Sequence, residues 1–176
     1  MHYYTNNDGD ILEILEKRGT MSLVYFDATG STRWAHTVNV TAGKVRDLMK
    51  PSRYGVGYDG RFDKTSAPFW RQAKQLWSNM LKRCYTDDPR GYRKHGVIVA
   101  ADWHCFANFL RDIQTLPNFS GWLGGGYNLD KDFIVEGCKV YSKDTCQFLP
   151  EGVNKAAGKG GKKLIDGVWV RPDLNT

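Results

Sequence analysis

The sequence predicts an α+β fold, in which a module of short strands precedes a helical segment and a second, mixed unit. Three patterns carry this prediction. Short runs rich in β-branched and aromatic residues fill residues 10–38, apolar residues recur at helical spacing over residues 68–84, and a strand-turn-strand pattern spans residues 127–150. With 176 residues, 41% hydrophobic and 13% aromatic, the chain can bury a sizeable core.

The N-terminal part, residues 1–50, is predicted to form a small β-barrel or a curled sheet. Strands are expected at residues 11–15, 23–26 and 33–38, and charged residues and glycines at 17–19 and 27–30 indicate the turns between them. Three short strands of this kind are similar to the SH3-like modules that some phage proteins carry. We therefore treat residues 1–50 as a separate β module.

Two amphipathic helices are expected in the middle of the chain. The first runs from Pro68 to Cys84, begins at its proline and has apolar residues at spacings of three and four. The second follows Asp102, which would cap it. The residues expected to face the core from this second helix are Trp103, Phe106, Ala107, Leu110 and Ile113.

A sequence signature covers the end of the first helix. Trp77, Met80, Arg83, Cys84 and Tyr85 form the pattern W-x-x-M-x-x-R-C-Y, and residues 96–109 add a short strand, an Asp-Trp pair and an F-x-x-F helix. Together with residues 127–150, these motifs resemble phage proteins of the HNH, or His-Me finger, type. Such proteins are homing-endonuclease-like and related to AP2-containing phage proteins. The resemblance spans roughly residues 68–154, so residues 51–154 are expected to form an HNH-like core.

The resemblance implies a ββα-metal core within residues 127–150. Phe133, Val135 and Val140 occupy strand positions, residues 136–137 supply the turn between the strands, and Ser142 would cap one helical turn. In this alignment Asp130 takes the aspartate position at the end of the first strand.

The same alignment implies a chemistry. Asp130, Asp132 and Asp144 would hold Mg²⁺ through carboxylate oxygens, and Lys131 would neutralise charge on the scissile phosphate. Asp130, Lys131 and Asp132 are therefore the candidate catalytic residues. The implied activity is cleavage or nicking of duplex DNA.

Lys131 stands where HNH enzymes carry the histidine that deprotonates water, which leaves alternatives to cleavage open. His95 and His104 are the histidines nearest in sequence, and neither occupies that position. One alternative is a DNA-binding protein that keeps the scaffold without the activity. Another is a phage accessory protein that binds and modulates a host enzyme or defence complex.

The charge distribution favours a polyanionic partner, because the chain carries a net charge of +6 and has a pI near 9.1. One basic cluster lies at residues 44–53. Residues 155–176 combine a Gly/Lys linker with a terminal strand expected at residues 164–172. The alternative for the glycine-rich part is a solvated linker. The residues expected to contact duplex DNA are Arg71, Lys74, Lys82, Arg83, Lys155, Lys159, Lys162 and Lys163.

Several classes of protein are disfavoured by composition. No apolar run reaches the ~20 residues of a membrane span, and the N-terminus lacks the hydrophobic segment of a signal peptide. We expect a cytoplasmic protein without membrane contact, located in the host cytoplasm if it is phage-encoded. The four cysteines form no C-x-x-C pair, so reduced thiols are expected, with Cys84 and Cys146 in the core, and no structural zinc.

Overall fold

The N-terminal part of the chain folds into a four-stranded antiparallel sheet. The computed structural model describes residues 2–135 and 137–153, and the backbone of residues 163–165 and 168–170. The sheet has the order β1-β2-β3-β4. Its strands are β1 (Tyr3–Thr5), β2 (Ile11–Arg18), β3 (Met21–Phe26) and β4 (Ser31–His36).

The sheet forms because alternate residues of its strands can be buried on one face. Leu12 lies opposite Phe26 in the β2–β3 register, and both side chains are buried. The three predicted strands are confirmed, although the last was expected to reach residue 38 and ends at His36. The chain turns there: the Thr37 N–H donates to the Thr20 carbonyl at 2.9 Å, and helix α1 (Thr37–Thr41) begins. β1 is a strand that the sequence did not predict.

A polar cluster fastens the sheet to the segment that follows α1. The Asn6 amide donates to Asp10 Oδ2 at 2.9 Å and to the Val45 carbonyl at 3.0 Å, and the Lys50 ammonium forms an ion pair with Asp10. Burial alone would raise the pKa of Asp10, but the hydrogen bonds from Lys50 and Asn6 outweigh burial and lower it. The buried carboxylate is therefore an anion at neutral pH and holds three segments together.

The buried residues form two hydrophobic clusters. One includes Leu12 and Phe26 of the sheet. The other is built around helix α2 (Trp70–Tyr85), which confirms the helix expected from residues 68–84. It buries Trp77, Met80 and Leu81 completely. After β5 (Ile98–Val99), a 3-10 helix (Ala101–His104) leads into α3 (Phe106–Ile113). Trp103, Phe106, Leu110 and Ile113 are buried, as expected, whereas Ala107 is half-buried.

The expected cap of the second helix is wrong. Asp102 lies inside the 3-10 helix, and α3 begins only after Cys105, with no side-chain cap. Backbone groups from a distant loop replace it: the Phe106 N–H donates to the Tyr58 carbonyl at 2.8 Å and the Ala107 N–H to the Asp59 carbonyl at 3.1 Å. Tyr58 and Asp59 thus cap the N-terminus of α3 through their carbonyl groups.

The remaining described part contains α4 (Phe119–Leu123), β6 (Tyr127–Asp130), β7 (Val140–Tyr141) and β8 (Gln147–Pro150). β6 pairs with β8 in antiparallel orientation, and β7 pairs with β5 in parallel orientation. Leu129, Phe148 and Leu149 are buried by these pairings. The strands of this region therefore find partners far along the chain.

This pairing corrects the strand-turn-strand expectation for residues 133–140. Phe133 and Val135 lie in a turn and a bend, and Val140 pairs with Ile98. One turn does form after Ser142, whose Oγ accepts the Asp144 N–H at 3.3 Å, but the chain enters β8 at Gln147 without forming a helix. The structure is mixed α+β, with the order strand, turn, strand, turn, strand in this region.

A two-stranded antiparallel hairpin follows in the C-terminal part, with β9 (Lys163–Ile165) and β10 (Val168–Val170). One strand had been expected at residues 164–172, and two short strands occupy that region. Lys155, Lys159 and Lys162 lie outside the described residues. All four cysteines are free, and Cys84 and Cys146 are buried as expected. No helix in the described part of the chain is long and apolar enough to span a membrane.

Candidate functional site

Asp130 terminates β6 and stabilises the turn that follows. Its carboxyl is buried, and Oδ1 accepts the backbone N–H groups of Asp132 at 3.0 Å and Phe133 at 2.8 Å. Burial raises the pKa of Asp130, and the neighbouring charge of Asp132 adds to that rise. This carboxyl therefore supports the turn through its own backbone.

Lys131 is enclosed rather than exposed. The side chain is buried, its Nζ donates to Asp132 Oδ1 at 2.6 Å, and Nζ lies 5.7 Å from the centre of the Tyr141 ring. The Arg83 guanidinium lies 5.9 Å from the same ring. Burial raises the pKa of Tyr141, so its hydroxyl remains protonated at neutral pH. Two cations thus contact one buried aromatic ring.

The three carboxylates expected to bind Mg²⁺ have different surroundings. Asp130 uses one oxygen for backbone N–H groups, Asp132 pairs with Lys131, and Asp144 is exposed in the turn after Ser142. Across residues 2–135 and 137–153, no group of three or more His, Cys, Asp or Glu side chains is arranged to hold a metal. Mg²⁺ binding by these three carboxylates therefore stays a prediction.

His104, considered above as a histidine near the core motif, has interior partners. Its Nε2 lies 2.8 Å from the Tyr85 hydroxyl, and burial lowers the pKa of the imidazole. The Tyr85 oxygen also accepts the Val99 N–H at 3.1 Å. These contacts connect α2, β5 and the 3-10 helix, so His104 has a structural role in this arrangement.

The basic residues of α2 divide into two kinds. Arg71 and Lys82 are exposed, and the Arg71 guanidinium lies 4.9 Å from the centre of the Trp70 ring. Lys74 and Arg83 are half-buried against aromatic rings; the Lys74 ammonium lies 4.2 Å from the Phe106 ring centre and pairs with Asp59. Burial lowers the pKa of Lys74 despite that pair. Lys163, another predicted DNA contact, lies in β9.

Lys74 also lines a cleft that sequence reasoning missed. The cleft, about 590 Å³ in volume, lies between β4 of the sheet and helix α2, and the loop at residues 59–64 forms part of its wall. We call it the cationic cleft. Its lining residues are Arg33, Trp34, Leu48, Asp59, Gly60, Arg61, Phe62, Lys64, Trp70 and Lys74.

The cationic cleft is lined by more basic than acidic side chains. Among the described residues, Asp59 is the one acidic residue that lines it, and Asp59 pairs with Lys74. In the described part of the chain, Arg33, Arg61 and Lys64 form no salt bridge. Burial and then the charge of Arg61 lower the pKa of Arg33, and the charge of Asp47 opposes this shift. The cleft therefore carries an excess of positive charge that nearby carboxylates offset only in part.

A second recess of about 340 Å³, which we call the groove, adjoins the cleft at β4. It shares Arg33, Trp34 and Leu48 with the cleft and adds Lys44 and Arg46. The Arg33 Nη1 donates to the Arg46 carbonyl at 3.1 Å, which places Arg33 at the boundary between the two recesses. Basic groups thus line a continuous surface that includes both.

One local signal could have indicated the cleft. Arg33-Trp34, Arg61-Phe62 and Trp70-Arg71 are basic and aromatic residues adjacent in sequence, a combination that suits phosphate and base contacts. Their assembly depends on contacts between segments far apart along the chain. Comparison of the chain with protein-family models, curated proteins and solved structures finds no match.

Proposed function

We propose that this protein binds duplex DNA, and that the cationic cleft and its groove contact the phosphates. The observation that carries this proposal is the charge of the two recesses. Arg33, Arg61, Lys64 and Lys74 line the cleft, and the groove adds Lys44 and Arg46. Of the residues that the structure describes, Asp59 is the one acidic residue that lines either recess, and Arg46 of the groove forms an ion pair with Asp8.

The proposal rests on an electrostatic cost. Half-buried Arg33 experiences the like charge of Arg61 and the opposing charge of Asp47, and in the described part of the chain neither arginine forms a salt bridge. Like charges in a partly desolvated site raise the free energy of the folded protein. Such local conflicts concentrate at functional sites. A phosphodiester backbone would relieve the repulsion and release counterions from the DNA.

The family resemblance belongs to the same proposal. The motifs within residues 68–154 resemble those of HNH-type phage proteins, which supports DNA as the class of polyanion. Between cleavage and binding alone, Lys131 favours binding alone. Its Nζ donates to Asp132 Oδ1 at 2.6 Å, and an ammonium has no lone pair with which to deprotonate water.

The binding test is a titration of a fluorescent duplex at salt concentrations between about 50 and 200 mM. We expect the logarithm of the binding constant to fall linearly with the logarithm of salt concentration. Arg61→Glu should weaken binding and reduce the slope by about 1. Lys139→Glu is the matched control, because it changes net charge equally at an exposed position outside both recesses.

The outcomes separate the alternatives. Equal losses for Arg61→Glu and Lys139→Glu would remove the cleft from the proposal, and binding that ignores salt would remove DNA itself. Tight association with a host protein without DNA affinity would select the accessory-protein alternative.

Cleavage is tested separately with supercoiled plasmid and Mg²⁺. We expect the plasmid to remain supercoiled. Nicking by the parent protein that disappears in Asp130→Asn would restore the endonuclease alternative, because asparagine keeps the side-chain oxygen that accepts the turn's N–H groups and removes the charge that a metal needs.

A further inference from the structure

We propose that the cationic cleft receives one unpaired nucleotide, so that the preferred ligand is single-stranded DNA or a gapped duplex rather than a fully paired one. This inference rests on the proposed DNA binding and names the part of the ligand that enters the cleft. Phosphate contacts alone require only a convex basic surface. A recess with aromatic walls is suited to a base.

The size of the cleft agrees with this ligand. Its volume of about 590 Å³ lies within the ~300–1,000 Å³ typical of sites for small molecules. A paired base remains stacked inside the duplex and cannot enter such a recess unless it leaves the stack. A nucleotide that is already unpaired avoids the cost of unstacking and enters more readily.

Aromatic rings supply the surface against which a base could stack. Trp34, Phe62 and Trp70 all line the cleft; Trp34 is 36% exposed, and the Arg18 guanidinium lies 5.0 Å from the centre of its ring. Trp34 comes from β4 and Trp70 from α2, so the rings approach the space from different elements. Base stacking on an aromatic side chain tolerates any sequence, because every base has a π face.

Charges at the same place fit the phosphate of that nucleotide. Arg33 and Arg61 both line the cleft, and a guanidinium group can bind two phosphate oxygens at once. The Lys64 ammonium lies 5.0 Å from the Trp70 ring centre. Lys74 is already paired with Asp59, so it contributes to the wall of the cleft and less to anion binding.

The first experiment compares three DNA ligands that carry 2-aminopurine, a base whose fluorescence falls on stacking. They are a single strand of about 12 nucleotides, a paired duplex, and the same duplex with a one-nucleotide gap opposite the probe. We expect the single strand and the gapped duplex to bind about tenfold more tightly than the paired duplex, with quenching of the probe. Equal affinity for all three, with no quenching, would overturn the nucleotide site.

Variants assign the effect to the cleft. Trp34→Ala should weaken binding of the gapped duplex about tenfold and leave the paired duplex nearly unchanged, and Trp34→Phe should retain most of the preference. Arg61→Gln, at an exposed position, should lower the affinity of all three ligands. Retention of the preference and the quenching in folded Trp34→Ala would overturn stacking in the cleft.

Failure of DNA binding and failure of the nucleotide site give different results. If no DNA ligand binds, the proposed DNA binding fails. If paired and gapped duplexes bind equally, only the nucleotide site fails. Competition with dAMP distinguishes a free nucleotide from a nucleotide within a DNA strand. If dAMP displaces the bound oligonucleotide at a similar concentration, the cleft takes a free nucleotide. If far more dAMP is needed, the cleft takes a nucleotide that is part of a strand.

Discussion

Replacing Gly60 with alanine should destabilise the protein more than the same change at Gly55. Both glycines have a positive φ, +66° at Gly60 and +78° at Gly55, where an L side chain adds about 1–2 kcal/mol of backbone strain. A Cβ at Gly60 would also collide with Cys105 Sγ and lie 2.9 Å from Ala107 Cβ, whereas one at Gly55 meets no atom within 4 Å. Overpacking of this kind costs about 1–3 kcal/mol.

The free energy of unfolding should therefore fall by about 2–5 kcal/mol in Gly60→Ala and by about 1–2 kcal/mol in Gly55→Ala. Urea unfolding followed by circular dichroism measures both, provided that the slope with denaturant is unchanged. Gly57→Ala supplies the packing effect alone, because Gly57 has no positive φ and its Cβ would lie 2.5 Å from Leu81 Cδ1. Equal losses of stability in Gly60→Ala and Gly55→Ala would refute the close approach of Gly60 to Cys105 and to Ala107 of α3.

Two further predictions concern carboxylates. Asp130→Ala should lower the free energy of unfolding by about 1–3 kcal/mol, because two backbone N–H groups lose their acceptor, whereas Asp130→Asn should stay close to the parent; equal losses in urea unfolding would contradict the turn-supporting role. Asp10 has a lowered folded-state pKa, so its stabilisation is complete above the unfolded pKa of about 4 and is lost as pH falls through the folded value. Asp10→Asn should therefore be less stable than the parent at pH 7, with a difference that shrinks below about pH 4; a difference independent of pH would contradict the ion pair with Lys50.

Local patterns predicted the elements whose stability depends on near neighbours. Helix α2 was expected because Ala73, Trp77 and Met80 recur at helical spacing, and those residues are buried. Strands β2 and β3 were expected for the same kind of reason, since they pair across a tight turn at residues 19–20. In these elements the sequence neighbours and the spatial neighbours largely coincide.

The sequence-based predictions of strands and caps were wrong where another group, often far along the chain, binds the backbone of the segment. Phe133 and Val135 have strand-like side chains, yet Asp130 binds the N–H groups of Asp132 and Phe133, and β8 rather than residues 139–141 pairs with β6. Asp102 has the composition of a cap, but the carbonyl groups of Tyr58 and Asp59 occupy that role. Propensity does not weigh such competitors, which are a neighbouring side chain in the first case and a distant loop in the second.

The same limit applies to the site. Asp130, Lys131 and Asp132 were found because they are adjacent in sequence, and Lys74 was found because α2 is regular. Arg33 and Arg61 were not singled out, because only the packing of the sheet beside α2 brings them to one cleft. The adjacent basic and aromatic residues Arg33-Trp34 and Arg61-Phe62 are a local signal, but they do not show that the two segments meet.

The position of the cationic cleft links the stabilities of the two hydrophobic clusters. Arg33 and Trp34 belong to the sheet, Trp70 and Lys74 belong to α2, and the Gly60 N–H between them donates to the Leu48 carbonyl at 2.8 Å. An anion that contacts both walls acts as a non-covalent cross-link, because it binds only when both clusters are folded. Its binding free energy therefore adds to the cooperativity of unfolding as well as to the melting temperature. Ligand and fold would then protect each other from proteolysis and heat.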